Sequence, residues 1–119
     1  MAIGDETSDV GQPLVVTYRE EGAWGVLGAA GELDVVTSGN LGSGLKSATP
    51  GLGIIVDMYD VTFVDTTGLG VLIGLQRRVE ESGGGFRLVV PSPHIRRVFD
   101  ITGLDEVFSV YDSLAAARE

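Results

Sequence analysis

Three consecutive apolar residues, Ile54-Ile55-Val56, are followed, past a polar stretch, by a segment that is apolar at every third or fourth position. That pairing constrains the fold more than any other feature. A short strand with no polar alternation is one buried on both faces, and helices must cover it. Leu69, Leu72, Ile73, Gln76 and Val79 fall at i, i+3, i+4, i+7 and i+10, so four of five positions on one helical face are apolar. Gly83-Gly84-Gly85 stops that helix, and Phe86 to Val90 reads as a further strand. A strand, a helix and a returning strand imply parallel pairing through a right-handed crossover.

The flanking segments extend this unit. Leu14 to Arg19 alternates and predicts a first strand; Glu20-Glu21-Gly22 turns the chain into a second, Ala23 to Ala30, which Gly31-Glu32-Leu33-Asp34 is expected to break. Over 37–47, Leu41 and Leu45 share a helical face, but Gly39, Gly42 and Gly44 each cost up to about 1 kcal/mol relative to alanine, so packing must hold any helix there. Pro50-Gly51 ends it, and Asp57 is expected to close the third strand. Ser92-Pro93 supplies an N-cap and a first-turn proline for a helix that buries Ile95, Val98 and Phe99 and ends at Gly103. Val107 to Tyr111 predicts a final strand, with Asp112 capping a short helix through Arg118. The order β-β-α-β-α-β-α-β-α describes one α/β domain over 14–119, a mixed, mostly parallel sheet covered by α-helices. Residues 1–13, with Asp5, Glu6 and Asp9 among small residues, are expected to be a flexible acidic tail.

Composition excludes several functions. The 119 residues include no cysteine, which removes disulfides, thiolate metal sites and cysteine nucleophiles. Net charge is −9, with one lysine and seven arginines, a balance that disfavours nucleic acid and anionic membranes and favours a basic protein partner and a monomer. No apolar run approaches the ~20 residues of a membrane helix, and the N-terminal residues lack secretory character, so a cytoplasmic location is expected. The single histidine, His94, has no metal cluster or triad around it and is expected in solvent, as is the Arg96-Arg97 face. Trp24 is expected to pack at the core or its rim. A phosphoaspartate receiver needs a lysine near the last strand, and the one lysine, Lys46, is misplaced for that role. Asp57 and Asp60 are spaced wrongly for a haloacid-dehalogenase-like phosphatase, Asp65 is followed by two threonines before glycine where an aspartic protease needs one, and no Walker lysine exists. No cofactor is expected.

What remains is Asp65-Thr66-Thr67-Gly68-Leu69-Gly70, at the start of the best helix. Two hydroxyls beside free backbone N–H groups form an anion site, and a phosphate there would add roughly −1.5 to −2 charge at the positive end of the dipole. The plainer alternative is that Asp65 and the threonines only cap the helix. Gly68, Gly70 and Gly74 weigh against that, because they weaken a helix unless something approaches the backbone closely.

With these residues in view the chain resembles STAS domains, specifically the bacterial anti-sigma factor antagonists. The resemblance rests on three motifs in order. They are Gly31-Glu32-Leu33-Asp34, then Asp65-Thr66-Thr67-Gly68-Leu69-Gly70-Val71-Leu72, then the helix end Val98-Phe99-Asp100-Ile101-Thr102-Gly103-Leu104. It implies that the second hydroxyl, Thr67, accepts phosphate from a cognate anti-sigma factor that is also a serine kinase, with Thr66 the second choice. It implies further that the unphosphorylated protein binds that factor and frees a sigma factor, that phosphate abolishes binding, and that a PP2C-type phosphatase resets the switch. Asp34 and Asp65 would flank the acceptor, and Thr66, Gly68, Leu69 and Gly70 would support phosphate or partner. On this reading the protein is not an enzyme. Most antagonists carry serine where Thr67 stands. A constitutive STAS scaffold or ligand-binding module is the alternative.

Overall fold

The computed structural model describes residues 13–119, so all but Pro13 of the expected acidic tail lies outside the described residues. Strand β1 (Val15–Glu21) and strand β2 (Trp24–Leu33) form an antiparallel hairpin about Gly22, with Glu21 opposite Trp24. Helix α1 (Gly39–Leu45) leads to strand β3 (Gly53–Val64), helix α2 (Thr66–Glu81), strand β4 (Phe86–Val89) and helix α3 (Pro93–Thr102). A 3₁₀ turn (Leu104–Glu106), strand β5 (Ser109–Tyr111) and helix α4 (Leu114–Ala117) complete the chain. The five strands lie in the order β1-β2-β3-β4-β5, with every pair after the hairpin parallel. This is the mixed sheet expected from the alternation of elements.

Two strands outrun their expected ends. β2 continues through Gly31-Glu32-Leu33, absorbing the glycine in irregular pairing between Gly28 and Ala30 and between Gly31 and Glu32. Gly31 sits at φ +117, and a Cβ there would lie 2.1 Å from the Pro13 carbonyl oxygen, so the position admits glycine alone. β3 runs past Asp57 to Val64, because Ala30 to Leu33 of β2 give it a partner for the whole of its second half. The buried apolar triplet is thus the first half of a 12-residue strand that carries the chain to the start of α2.

One sheet face carries α1, α2 and α3. Leu27, Ile54, Val56 and Leu88 meet Leu41, Leu72, Leu75, Ile95 and Phe99 in a single core. Full burial of each such side chain contributes ~1.5–3 kcal/mol. The glycine-rich α1 forms because of this packing: Leu41 is fully buried, and a Cβ at Gly44 would meet Val16 Cγ1 at 2.6 Å and Leu27 Cδ1 at 2.9 Å. Glycine lets this helix settle onto the sheet, and the packing offsets its poor propensity. α2 buries Leu69, Leu72, Leu75 and Val79, while Gln76 donates to the Val107 carbonyl at 3.1 Å.

The opposite face is covered at one end by α4. Ile55, Val89 and Ala117 are buried there behind Trp24, Tyr111 and Leu114. The Arg87 guanidinium stands 4.5 Å from the Trp24 ring centre and 5.4 Å from that of Tyr111, and it donates to the carbonyls of Ala117 (2.5 Å) and Glu119 (2.7 Å). Trp24 therefore packs at the rim and helps hold the last helix. Two expectations change. Ser113, not Asp112, caps α4 by accepting from the Ala116 amide at 3.1 Å. Asp112 instead pairs with Arg96 at 2.7 Å, so of the Arg96-Arg97 face only Arg97 has no ion-pair partner among the described residues. Ser92, Pro93 and Gly103 bound α3 as expected, and His94 is exposed.

Candidate functional site

Helix α2 begins where β3 ends, and Asp65 makes the junction. Its backbone is extended (φ −108, ψ −177), which turns the carboxylate back over the first turn. Asp65 Oδ1 accepts the Gly68 amide at 2.9 Å, and Oδ2 accepts the Val35 amide at 3.2 Å. Its own amide donates to the Leu33 carbonyl at 3.2 Å, and its carbonyl accepts the Leu69 amide at 3.0 Å. One residue thus ties the helix start to the end of β2 and to the loop that follows it. Gly68 belongs to the same junction: a Cβ there would stand 2.6 Å from the Leu33 carbonyl oxygen and 2.8 Å from Leu33 Cγ. The close approach expected at this glycine comes from the protein's own second strand.

Thr66 and Thr67 are the first two residues of α2, and both are exposed. Neither hydroxyl bonds to any described residue. Asp65 alone caps the helix through its side chain, so capping does not account for the threonines. Unpaired amides of the first turn and the positive end of a 16-residue helix dipole lie beside them.

The other members of the expected set divide in two. Gly70 is exposed, whereas Gly68 and Leu69 are buried, with Leu69 at 5% exposure inside the core, so Leu69 acts through packing and not through a surface contact. Asp34 closes its own loop. Its Oδ1 accepts the amides of Val36 (2.9 Å) and Thr37 (3.0 Å), and its carbonyl accepts the Ser38 amide at 2.9 Å. Thr37 returns the connection, accepting from the Asp34 amide at 3.1 Å and donating to the Glu32 carbonyl at 2.5 Å. The backbone amide of Thr37, with that of Val36, holds the Asp34 carboxyl below the usual range for aspartate. Among the described residues no three side chains are grouped as metal ligands, and no helix is long and apolar enough to cross a membrane.

A model of the STAS domain family matches residues 15–117. The chain belongs to the STAS domain family. The anti-sigma-B factor antagonist of Bacillus subtilis is 37% identical over 82 residues, which cover 68% of this chain and 75% of that protein. A Thermotoga maritima protein named as an anti-sigma factor antagonist is 35% identical over 66 residues; the match spans 56% of this chain and little more than half, 58%, of that relative. The crystal structure of an anti-sigma factor antagonist from Mycobacterium paratuberculosis superposes with a TM-score of 0.74 at 26% identity, covering 87% of this chain and 90% of the other.

In this STAS domain the residues that sequence reasoning missed are Val35 and Val36, which are 69% and 80% exposed. They stand in the loop that Asp34 closes and Asp65 holds. The signal was present: two valines directly after Gly31-Glu32-Leu33-Asp34, where no strand alternation buries them. Of the apolar pair just before the helix, Phe63 is 45% exposed and Val64 alone is buried.

Proposed function

We propose that this STAS domain is an anti-sigma factor antagonist switched by phosphate on Thr67. The observation that carries the reading is the free, exposed Thr67 hydroxyl at the mouth of α2, beside a cap that Asp65 already supplies. The names of the relatives support the partner class.

The unphosphorylated domain binds its anti-sigma factor through the surface around Thr66, Thr67 and Gly70, and so frees a sigma factor. The bound factor, acting as a serine kinase, transfers the γ-phosphoryl group of ATP to the Thr67 hydroxyl; the bond from the γ-phosphorus to the β–γ bridging oxygen breaks as the Thr67 Oγ–phosphorus bond forms, ADP leaves, and the hydroxyl proton passes to the kinase. The added charge of roughly −1.5 to −2 then stands where a neutral hydroxyl stood, and the complex separates. The phosphate also meets the positive end of the helix, which stabilises the modified form. Asp65 acts by holding the α2 start and the 34–37 loop in one arrangement, and Asp34 by shaping that loop. Thr66 is the second choice as acceptor. A PP2C-type phosphatase restores the hydroxyl. The domain itself performs no catalysis and works as a cytoplasmic monomer.

The test compares capture of the host's purified anti-sigma factor kinases by the wild-type protein, Thr67→Ala and Thr67→Glu. Wild type and Thr67→Ala should bind one of them, and Thr67→Glu should not. Equal binding by all three would identify a constitutive module that ignores Thr67.

A further inference from the structure

Between α1 and α2 a mostly apolar groove of about 290 Å³ opens to solvent, lined by Ser38, Gly39, Gly42, Val71, Gly74 and Arg78. Its glycines are not explained by the fold. Nothing lies within 4 Å of a Cβ at Gly39, Gly70 or Gly74, and at Gly42 the nearest atom is Arg78 Nη1 at 3.9 Å. None of the four has positive φ, so no turn requires them. Each therefore weakens its helix with no internal return. Gly70 and Gly74, four residues apart, follow Thr67 along one side of α2.

A second feature points the same way. Ser38 is 94% buried, at 6% exposure, yet its hydroxyl caps nothing and bonds to no described residue. Among the described residues no fully sealed side-chain polar atom lacks a partner, and Ser38 is one of the residues that line the groove. Arg78 also lines it and is in no ion pair with a described residue, on a chain whose net charge is −9.

We infer that this groove seats an amphipathic helix of the anti-sigma partner, whose small and apolar side chains pack on Gly39, Gly42 and Gly74 and whose carboxylate pairs with Arg78. The inference rests on the reading proposed above and extends it from the acceptor threonine to a second contact about two turns along the same helix. Glycine on both walls lets a partner backbone come close, which any side chain would prevent. A carboxylate on the occupant is favoured because an arginine fork is free to receive it.

The test uses the intact protein and the purified anti-sigma factor kinase that binds the wild type. Gly74→Leu places a side chain in open space and improves the helix, so it should fold with a raised melting temperature while binding at least about tenfold more weakly; Arg78→Glu should weaken binding to a similar degree. Gly84, behind the end of α2, is left alone, and Arg97→Glu on α3 serves as the charge control that keeps wild-type affinity. Wild-type affinity in Gly74→Leu and Arg78→Glu, with Thr67→Glu still unable to bind, would overturn the groove and leave the switch standing. Failure of the wild type to bind any such kinase would remove the reading on which the groove's occupant depends. Self-association of the wild type alone, abolished by Gly74→Leu, would make the occupant a second copy and overturn the inference.

Discussion

The amide of Val35 donates to the carboxylate of Asp65, 30 residues away in sequence, at 3.2 Å. That bond joins the loop after β2 to the start of α2, and the other oxygen of the same carboxylate caps the helix at Gly68. The exposed valines and the free threonines are therefore parts of one surface held by one side chain.

Asp65→Ala should destabilise the domain by about 1–2 kcal/mol, since it removes the cap and the loop contact together. Asp65→Asn keeps one carbonyl acceptor and should lose less. Urea denaturation of the three proteins gives the comparison. Equal midpoints would mean that the carboxylate does not hold the junction.

Glycine-to-alanine substitutions along α2 should differ in sign. At Gly68 the new Cβ meets the Leu33 carbonyl at 2.6 Å, and the resulting strain, ~1–3 kcal/mol, outweighs the gain in helix propensity. At Gly70 and Gly74 the Cβ enters open space, and each substitution should stabilise by about 0.5–1 kcal/mol. Thermal unfolding monitored by circular dichroism separates the two cases.

Much of this was legible in the residues. The periodicity of Leu69, Leu72 and Val79 against the apolar triplet of β3 fixed a covered, largely parallel sheet, because burial dictates both patterns. The reach of β2 and β3 was not legible: Gly31 reads locally as a breaker, and only pairing with the neighbouring strand carries the chain through it. The hydroxyl pair was visible as a motif. Its separation from the cap was not, since Asp and Thr are both good caps and only backbone geometry at Asp65 decides between them. The open space about Gly39 and Gly74, on facing helices, needed coordinates, because it depends on how α1 sits against α2.

Alkali should expose a further link. The Tyr18 hydroxyl is pushed up to about 12 by burial and by its bond to Glu20 (2.8 Å). Glu20 is held below the usual glutamate range by the Thr49 side chain (2.8 Å), then by Tyr18. A raised tyrosine pKa contributes stability that is fully present below the unfolded value near 10 and is lost as pH rises from about 10 to about 12. The depressed Glu20 acts at the other end: its contribution is present above the ordinary glutamate value and is lost as pH falls through the lower folded value. Melting temperature measured from pH 9 to 12 should fall further in wild type than in Tyr18→Phe; parallel profiles would exclude the tyrosine.

The acceptor is tested most directly by mass spectrometry. The purified domain is incubated with Mg-ATP and a host lysate of verified kinase activity, and phosphate is mapped by tandem fragmentation. Phosphate on Thr67, absent from Thr67→Ala and retained in Thr66→Ala, is the predicted result. An unmodified protein, or phosphate confined to Thr66, would contradict the assignment of Thr67 as the switch.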